Sequence, residues 1–210
     1  MTDPMPSVTV HIVDDEADIR DALALLLKAE RYSTREYDSA DDFLARYDGG
    51  DSAHAVVLMD VRMPGTNGLA AHEQLRARHV YTPLVFMSGH GDIAMAVKAI
   101  QKGAFSFLEK PFNDSELLDV VAEASEQAER ASATAHATAD AQRSLDSLTA
   151  RERDVMYGVC AGHANKVVAR QLGLSPRTVE IHRARVFHKF NVDNAQQLVR
   201  QLMAANLLDQ

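Results

Sequence analysis

The sequence predicts a chain in two parts: a doubly wound, five-stranded parallel α/β sheet, followed by a small all-α unit of four helices. Three observations predict it. The run Ala55-Val56-Val57-Leu58-Met59 ends on Asp60 and is then broken by Met63-Pro64-Gly65, as expected of a strand buried on both faces of a parallel sheet. Similar runs alternate with helical periodicities from Val8 onward, and short connections then force right-handed crossovers. Beyond Ser147 only helical patterns remain, punctuated by Gly and by capping residues.

In chain order, Val8 to Val13 is a β-rich run ending on Asp14-Asp15, and Ile19, Ala22, Leu23, Leu26 and Leu27 follow at helical spacing. Ser33 to Tyr37 is a more polar strand suited to a sheet edge. Ser39-x-x-Asp42 resembles a capping box before Phe43, Leu44 and Tyr47. After the Asp60 strand a helix is predicted from about Gly68 to Arg78, then a fourth strand over Pro83–Ser88. Gly89-His90-Gly91 leads into a helix over Ile93, Ala96, Val97 and Ile100. A fifth strand is predicted over Gly103–Leu108, ending at Glu109-Lys110-Pro111, with a last helix from near Asp114. The strand ends thus carry Asp14, Asp15, Asp60, Ser88 and Lys110 on one edge, where open α/β sheets place their reactive groups.

From about Ser125 to Ser147 the chain is rich in Ala, Ser and Thr, without Gly or Pro. A solvated, partly helical linker is predicted, with disorder as the alternative. Thr149-x-x-Glu152 is a capping box before Val155, Met156 and Val159; Gly162 ends that helix, and Asn165 is placed to cap the next. Ser175-Pro176 is an N-cap with Pro at N1, opening a third helix to about Phe190, and Asn194 caps a fourth over Leu198, Val199 and Leu202. Two short helices joined at Gly173 and followed by a basic helix describe a helix-turn-helix. The expected division is residues 1–124, a linker over 125–146, and residues 147–210.

Composition narrows the function classes. At 46% apolar and 25% charged residues, the chain is neither disordered nor fibrous. It has no apolar run of the roughly 18 residues that a membrane span needs. Its acidic first residues lack the apolar core of a signal peptide, so a cytoplasmic protein without membrane association is expected. The lone Cys160 cannot form an internal disulfide and reads as a small buried hydrophobe. No GxxxxGK[ST] loop is present, which argues against a nucleotide hydrolase. His11 and His90 do not cluster with Cys160, so zinc is not expected. Charge is divided: residues 1–125 carry −10, residues 126–146 carry −2 and residues 147–210 carry +4, so the two ends do not bind the same partner.

Asp14, Asp15 and Asp60 would repel one another in a shared cleft unless a hard divalent cation joined them. Mg²⁺ suits, because it needs only one or two carboxylates and completes its shell with water and phosphate oxygens. A carboxylate beside such an ion can attack a phosphoryl donor, with the Lys110 ammonium and the Ser88 hydroxyl on the phosphate oxygens. Simpler roles stay open at this point: Lys110 as an ordinary ion-pair partner, Ser88 as a cap of the following helix. In the second unit Arg177, Thr178, Arg183, Arg185 and Lys189 offer positive and polar groups on the third helix, and Lys166 starts the second, as phosphate contacts require.

Asp14-Asp15, Asp60-x-x-Met63-Pro64-Gly65, Ser88-Gly89-His90 and Lys110-Pro111 resemble the receiver domain of two-component response regulators. Residues 147–202 resemble the LuxR-type helix-turn-helix, and the pair in this order is similar to the FixJ/NarL type. The Ser-Gly-His-Gly and Phe-Leu-Glu-Lys-Pro-Phe runs are closer to the FixJ branch. The resemblance covers nearly the whole chain apart from the linker. It implies a flavodoxin-like receiver of strand order 2-1-3-4-5. Asp60 would be phosphoacceptor, with Mg²⁺ (or Mn²⁺) held by Asp14, Asp15, Asp60 and the Arg62 backbone carbonyl. Ser88 takes the position of the switch hydroxyl, usually Thr in this branch, and Phe107 that of the switch aromatic. Lys110 becomes the phosphate partner, in a Lys-Pro bond that is commonly cis. The helix over Ile93–Ile100 and the fifth strand would form a homodimer surface on phosphorylation, and Glu180, Ile181 and Ala184 fall where the family reads bases. The implied partners are a cognate sensor histidine kinase, promoter DNA and RNA polymerase. The implied function is a phosphorylation-dependent transcription regulator, not an enzyme beyond self-dephosphorylation. A phosphorylation-independent DNA binder with a vestigial receiver is an alternative. So is an aspartyl-phosphate phosphatase, although that class normally has a second Asp where Arg62 stands.

Overall fold

The computed structural model describes residues 8–50, 54–89 and 93–208. His90 and Gly91, part of the loop motif after the fourth strand, lie outside the described residues; of Ile93 and Ala94 only the backbone is described. The chain divides into two compact units, residues 1–132 and 133–210.

The first unit alternates β1 (Thr9–Val13), α1 (Ala17–Ala29), β2 (Ser33–Tyr37), α2 (Ala40–Arg46), β3 (Ala55–Asp60), α3 (Gly68–Ala77), β4 (Leu84–Ser88), α4 (Ile93–Gln101) and β5 (Ser106–Glu109). The following helix, α5 (Asp114–Asp146), runs unbroken into the second unit. All strand pairs are parallel, in the order β2-β1-β3-β4-β5.

Alternation along the strands divides the core in two. Val13, Val57, Met59, Leu84 and Phe86 pack with Phe43, Leu44, Ala71, Leu75 and Ala99 from α2, α3 and α4. Val10, Ile12, Val56, Leu58, Val85 and Met87 pack with Leu23, Leu27, Leu117, Val121 and Ala124 from α1 and α5. Every residue of β3 is buried, as its unbroken apolar run requires, whereas β2 alternates with exposed positions and forms an edge.

One strand start differs from expectation. β5 begins at Ser106, not Gly103, because Gly103 at φ +89° turns the chain while the Ala104 amide closes the end of α4 on Ala99. At α5 a reciprocal cap that the sequence reading missed joins Asn113 and Glu116: each backbone N–H donates to the other's side chain, at 3.1 and 2.9 Å.

The second unit contains α6 (Ala150–Cys160), α7 (Asn165–Leu172), α8 (Pro176–Phe190) and α9 (Ala195–Ala204). Val155, Met156, Val168, Val179, Val186, Phe190, Leu198 and Leu202 form its core, with Ala141 and Leu145 from the last turns of α5. Thr149 and Glu152 make both halves of the capping box, and Ser175 and Asn194 cap α8 and α9 through side-chain oxygens. Asn165 does not cap α7. Ala164 occupies that position without a side-chain bond, and Asn165 is the first helical residue, its side-chain Oδ1 accepting from Arg183. Cys160 is half-buried, and burial pushes its thiol pKa up.

Candidate functional site

Asp14 follows the last residue of β1, Asp60 and Ser88 close β3 and β4, and Lys110 follows β5, so parallel pairing alone gathers them at one edge. Local bonds then aim them. Asp14 is fully buried; its Oδ1 accepts the Glu16 N–H at 2.9 Å, and its backbone carbonyl accepts Arg20 Nη1 at 2.7 Å. Asp60 is 7% exposed, and its Oδ2 accepts the Arg62 N–H at 2.6 Å. The Lys110 N–H donates to the Ser88 carbonyl at 2.7 Å, setting the β5 exit beside β4. From there its ammonium reaches Asp14 Oδ2 and Asp60 Oδ1, 2.7 Å from each. The Lys110-Pro111 peptide is cis.

The loop after β3 is held as tightly. Thr66 donates its hydroxyl to Asp41 Oδ1 at 2.6 Å, tying the loop to the start of α2. At Gly68 a Cβ would lie 2.4 Å from the Asp60 carbonyl oxygen, so only glycine lets α3 begin this close to the site.

Burial raises the Asp60 carboxyl above its ordinary value; Lys110 and the Arg62 amide oppose the shift, and Asp14 adds to it. Burial would lower the Lys110 pKa, but its bonds to Asp14 and Asp60 outweigh that and raise it. The ammonium therefore stays charged between two carboxylates, which leaves the trio with one net negative charge.

Ser88 is buried, and Phe107 is half-buried on β5 against the core that α2, α3 and α4 cover. Asp15 is exposed, whereas Asp14 and Asp60 are buried. Among the described residues no group of three or more His, Cys, Asp or Glu side chains is arranged to hold a metal. The donor chemistry nevertheless fits Mg²⁺: the acidic side chains present are all-oxygen donors, two suffice for this ion, and the local charge is in negative excess. Arg20 and Asp41, which support Asp14 and the β3–α3 loop, escaped the sequence reading. Arg20 had one signal, a lone basic residue among the acidic side chains that open α1.

On α8 the structure separates the expected DNA-facing residues into two sets. Arg177, Glu180, Ile181, Ala184 and Arg185 are exposed, as is Lys166 at the start of α7. Thr178 is half-buried, its hydroxyl 2.8 Å from Ser175 Oγ. Arg183 donates to Asn165 Oδ1 at 3.1 Å and lies over the Phe187 ring. Lys189, expected among the phosphate contacts, is half-buried. Its ammonium turns into the unit and donates to Glu152 Oε2 at 2.8 Å and to the Ser147 carbonyl at 2.7 Å.

A five-stranded parallel sheet with an acidic edge closed by a lysine, followed by a capped four-helix unit with a basic helix, defines a receiver joined to a helix-turn-helix. Residues 10–122 match the response regulator receiver domain, and residues 146–202 match the bacterial regulatory proteins of the luxR family. The chain belongs to the two-component response regulators of the FixJ/NarL type, DNA-binding transcription regulators for which phosphorylation-dependent activation is typical. It is 38% identical over 200 residues to the transcriptional regulatory protein FixJ of Bradyrhizobium diazoefficiens, covering 95% of this chain and 97% of that one. It is 39% identical over 196 residues to the C4-dicarboxylate transport transcriptional regulatory protein DctR of Rhodobacter capsulatus, covering 92% and 98%. The solved structure of the response regulator StyR has a TM-score of 0.84 at 33% identity, over 94% of this chain and 99% of that one. Full-length FixJ from B. japonicum has a TM-score of 0.60 at 38% identity, over 98% and 100%. Receiver domains generally bind Mg²⁺ at the phosphorylation site. A receiver with a DNA-binding domain implies a sensor kinase and DNA as partners. Among the described residues no helix is long and apolar enough to cross a membrane.

Proposed function

We propose that Asp60 accepts a phosphoryl group from a cognate sensor histidine kinase and that this modification governs DNA binding through α8. The observation that carries the reading is the Lys110 ammonium, 2.7 Å from both Asp14 and Asp60 at the carboxyl edge of the sheet. An Asp60 carboxylate oxygen attacks the donor phosphorus, the bond from phosphorus to the donor nitrogen breaks, and an acyl phosphate forms. Lys110 then meets a phosphoryl oxygen, and the Ser88 hydroxyl donates to another. Asp14, Asp15, Asp60 and the Arg62 carbonyl would hold Mg²⁺ or Mn²⁺. The ion, when bound, offsets the negative charge of carboxylates and phosphoryl oxygens during transfer.

Movement of Ser88 toward the phosphoryl group frees space for Phe107 and re-shapes the α4–β5 surface. Val97 and Ile100 on α4 are 50% and 46% exposed, apolar area that a homodimer would cover. Dimerisation sets one DNA reader beside another and raises its effective concentration. Arg177, Thr178, Arg185 and Lys166 then meet phosphates, while Glu180, Ile181 and Ala184 meet base edges. Residues 1–124 and 147–210 are the functional domains, with 125–146 a helical linker. The protein works in the cytoplasm, alongside RNA polymerase, as a regulator and not an enzyme.

The test uses the full chain with acetyl phosphate and Mg²⁺, scored by mass shift and by gel shift on duplexes selected from a randomised library. Wild type should be labelled and should bind more tightly once labelled, whereas Asp60→Asn should do neither. Full labelling of Asp60→Asn on another Asp would overturn the assignment. DNA binding that ignores the donor would point to a vestigial receiver.

A further inference from the structure

We propose that Lys189 with Glu152, and Arg183 with Asn165, are positioning residues that set the rotation and depth of α8, leaving base reading to the exposed face opposite them. The proposal rests on the reading of α8 as the helix that meets DNA.

The last turn of α8 is tied at two atoms. The Lys189 ammonium donates to Glu152 Oε2 and to the Ser147 carbonyl, and the Lys189 backbone carbonyl accepts the Ser144 hydroxyl at 3.0 Å. Glu152 Oε2 also accepts the Thr149 N–H at 2.9 Å, so the oxygen that completes the capping box of α6 also receives the lysine. The side chains of Lys189 and Glu152 are 29% and 4% exposed. Drawing the ammonium out to a DNA phosphate would strand a buried carboxylate, which costs far more than one solvent-exposed ion pair returns. Lys189 chiefly, then the Thr149 amide, holds the Glu152 carboxyl down to about 2, so Glu152 stays ionised throughout the neutral range.

A clamp at one end stops the helix sliding but leaves it free to roll. Arg183, six residues earlier, supplies the second point: it bridges to Asn165 at the first residue of α7 and lies 5.1 Å above the Phe187 ring centroid. Successive residues on a helix are about 100° apart, so even half that roll would exchange Glu180 and Ile181 for different neighbours at the base edges. Two basic residues that the charge pattern assigns to phosphates are thereby committed inside the unit.

The experiment uses the full chain with acetyl phosphate and Mg²⁺, measured on a duplex that wild type selects from a randomised library and on a shuffled duplex of the same composition. Lys189→Met and Glu152→Gln should each lower the selected-to-shuffled affinity ratio by about fivefold or more, part of the worth of one base contact. The salt slope should stay as in wild type. Glu152→Gln keeps an oxygen for the Thr149 amide and folds even if Lys189→Met does not. Arg177→Ala, as reference, should reduce the slope of log K against log salt by about 0.9 and leave the ratio alone. A Lys189→Met variant that behaves like Arg177→Ala would make Lys189 a phosphate contact and overturn the proposal. Equal losses on both duplexes that track the folded fraction by circular dichroism would reduce the clamp to fold stability, and no change at all would make it idle; both also overturn it. If Glu180→Ala and Ile181→Ala leave base preference untouched, the placement of α8 on DNA has failed instead.

Discussion

Lys110 bridges the two buried carboxylates of the receiver edge. Its side chain is 19% exposed, against 0% for Asp14 and 9% for Asp60, so its removal leaves two shielded carboxylates facing each other. Breaking a buried pair in this way costs about 3–5 kcal/mol. Lys110→Ala should lower receiver stability by that order in urea unfolding, and Mg²⁺ should restore more stability to the variant than it adds to wild type. Equal Mg²⁺ effects on both would remove the cation from this site. Glu152 makes the matching case in the second unit. Its folded pKa, about 2, lies below the ordinary 4.5, so its contribution is complete above about pH 4.5 and is lost as pH falls toward 2. Hydrogen exchange at α6 and α8 should therefore accelerate across that window in wild type, and Glu152→Gln should flatten the response. A charge-assisted bond of this kind contributes about 1.5–3 kcal/mol.

Among the elements, the helices of the second unit are defined by their caps. Thr149→Ala removes the acceptor for the Glu152 amide and should destabilise the unit by about 0.5–2 kcal/mol, read by thermal unfolding of the full chain. For α8 the exposed face is the one proposed to read bases. Glu180 is exposed beside Ile181, a large apolar side chain that is 48% exposed. Glu180→Ala should change preference at one base-pair position by about 1–3 kcal/mol and raise affinity for unrelated duplexes, because a negative charge leaves the polyanion. Uniform weakening on every sequence would show that a different face of α8 meets the bases.

At the scale of the whole molecule the charge division sets the regulatory logic. A −10 front half should repel DNA and a +4 tail should hold it only weakly, so under the proposed reading a paired chain binds DNA better than a single one. Beryllofluoride with Mg²⁺ should convert the full chain from monomer to dimer in sedimentation and tighten its grip on a selected duplex, with Asp60→Asn blind to both. A mass unchanged by beryllofluoride would sever phosphorylation from dimerisation.

The elements were legible in the sequence wherever local rules decide them. The apolar run into Asp60, the polar edge strand at Ser33–Tyr37, and the caps at Thr149, Ser175 and Asn194 all stand where pattern and capping chemistry put them. The gathering of Asp14, Asp60, Ser88 and Lys110 was legible too, since parallel strands joined by crossovers carry their ends to one edge. Where a side chain spends its charge was not legible. Lys189 and Arg183 look in sequence like Arg177 and Arg185, four basic residues on one helix. Only packing of α8 against α6 and α7 turned two of them inward, to partners 37 and 18 positions away. Asp15 likewise follows Asp14 in the chain, yet one is exposed and the other buried, because successive residues leaving a strand face opposite ways. Periodicity records which face is apolar; which distant group a polar side chain meets is settled only when the helices and strands close on one another.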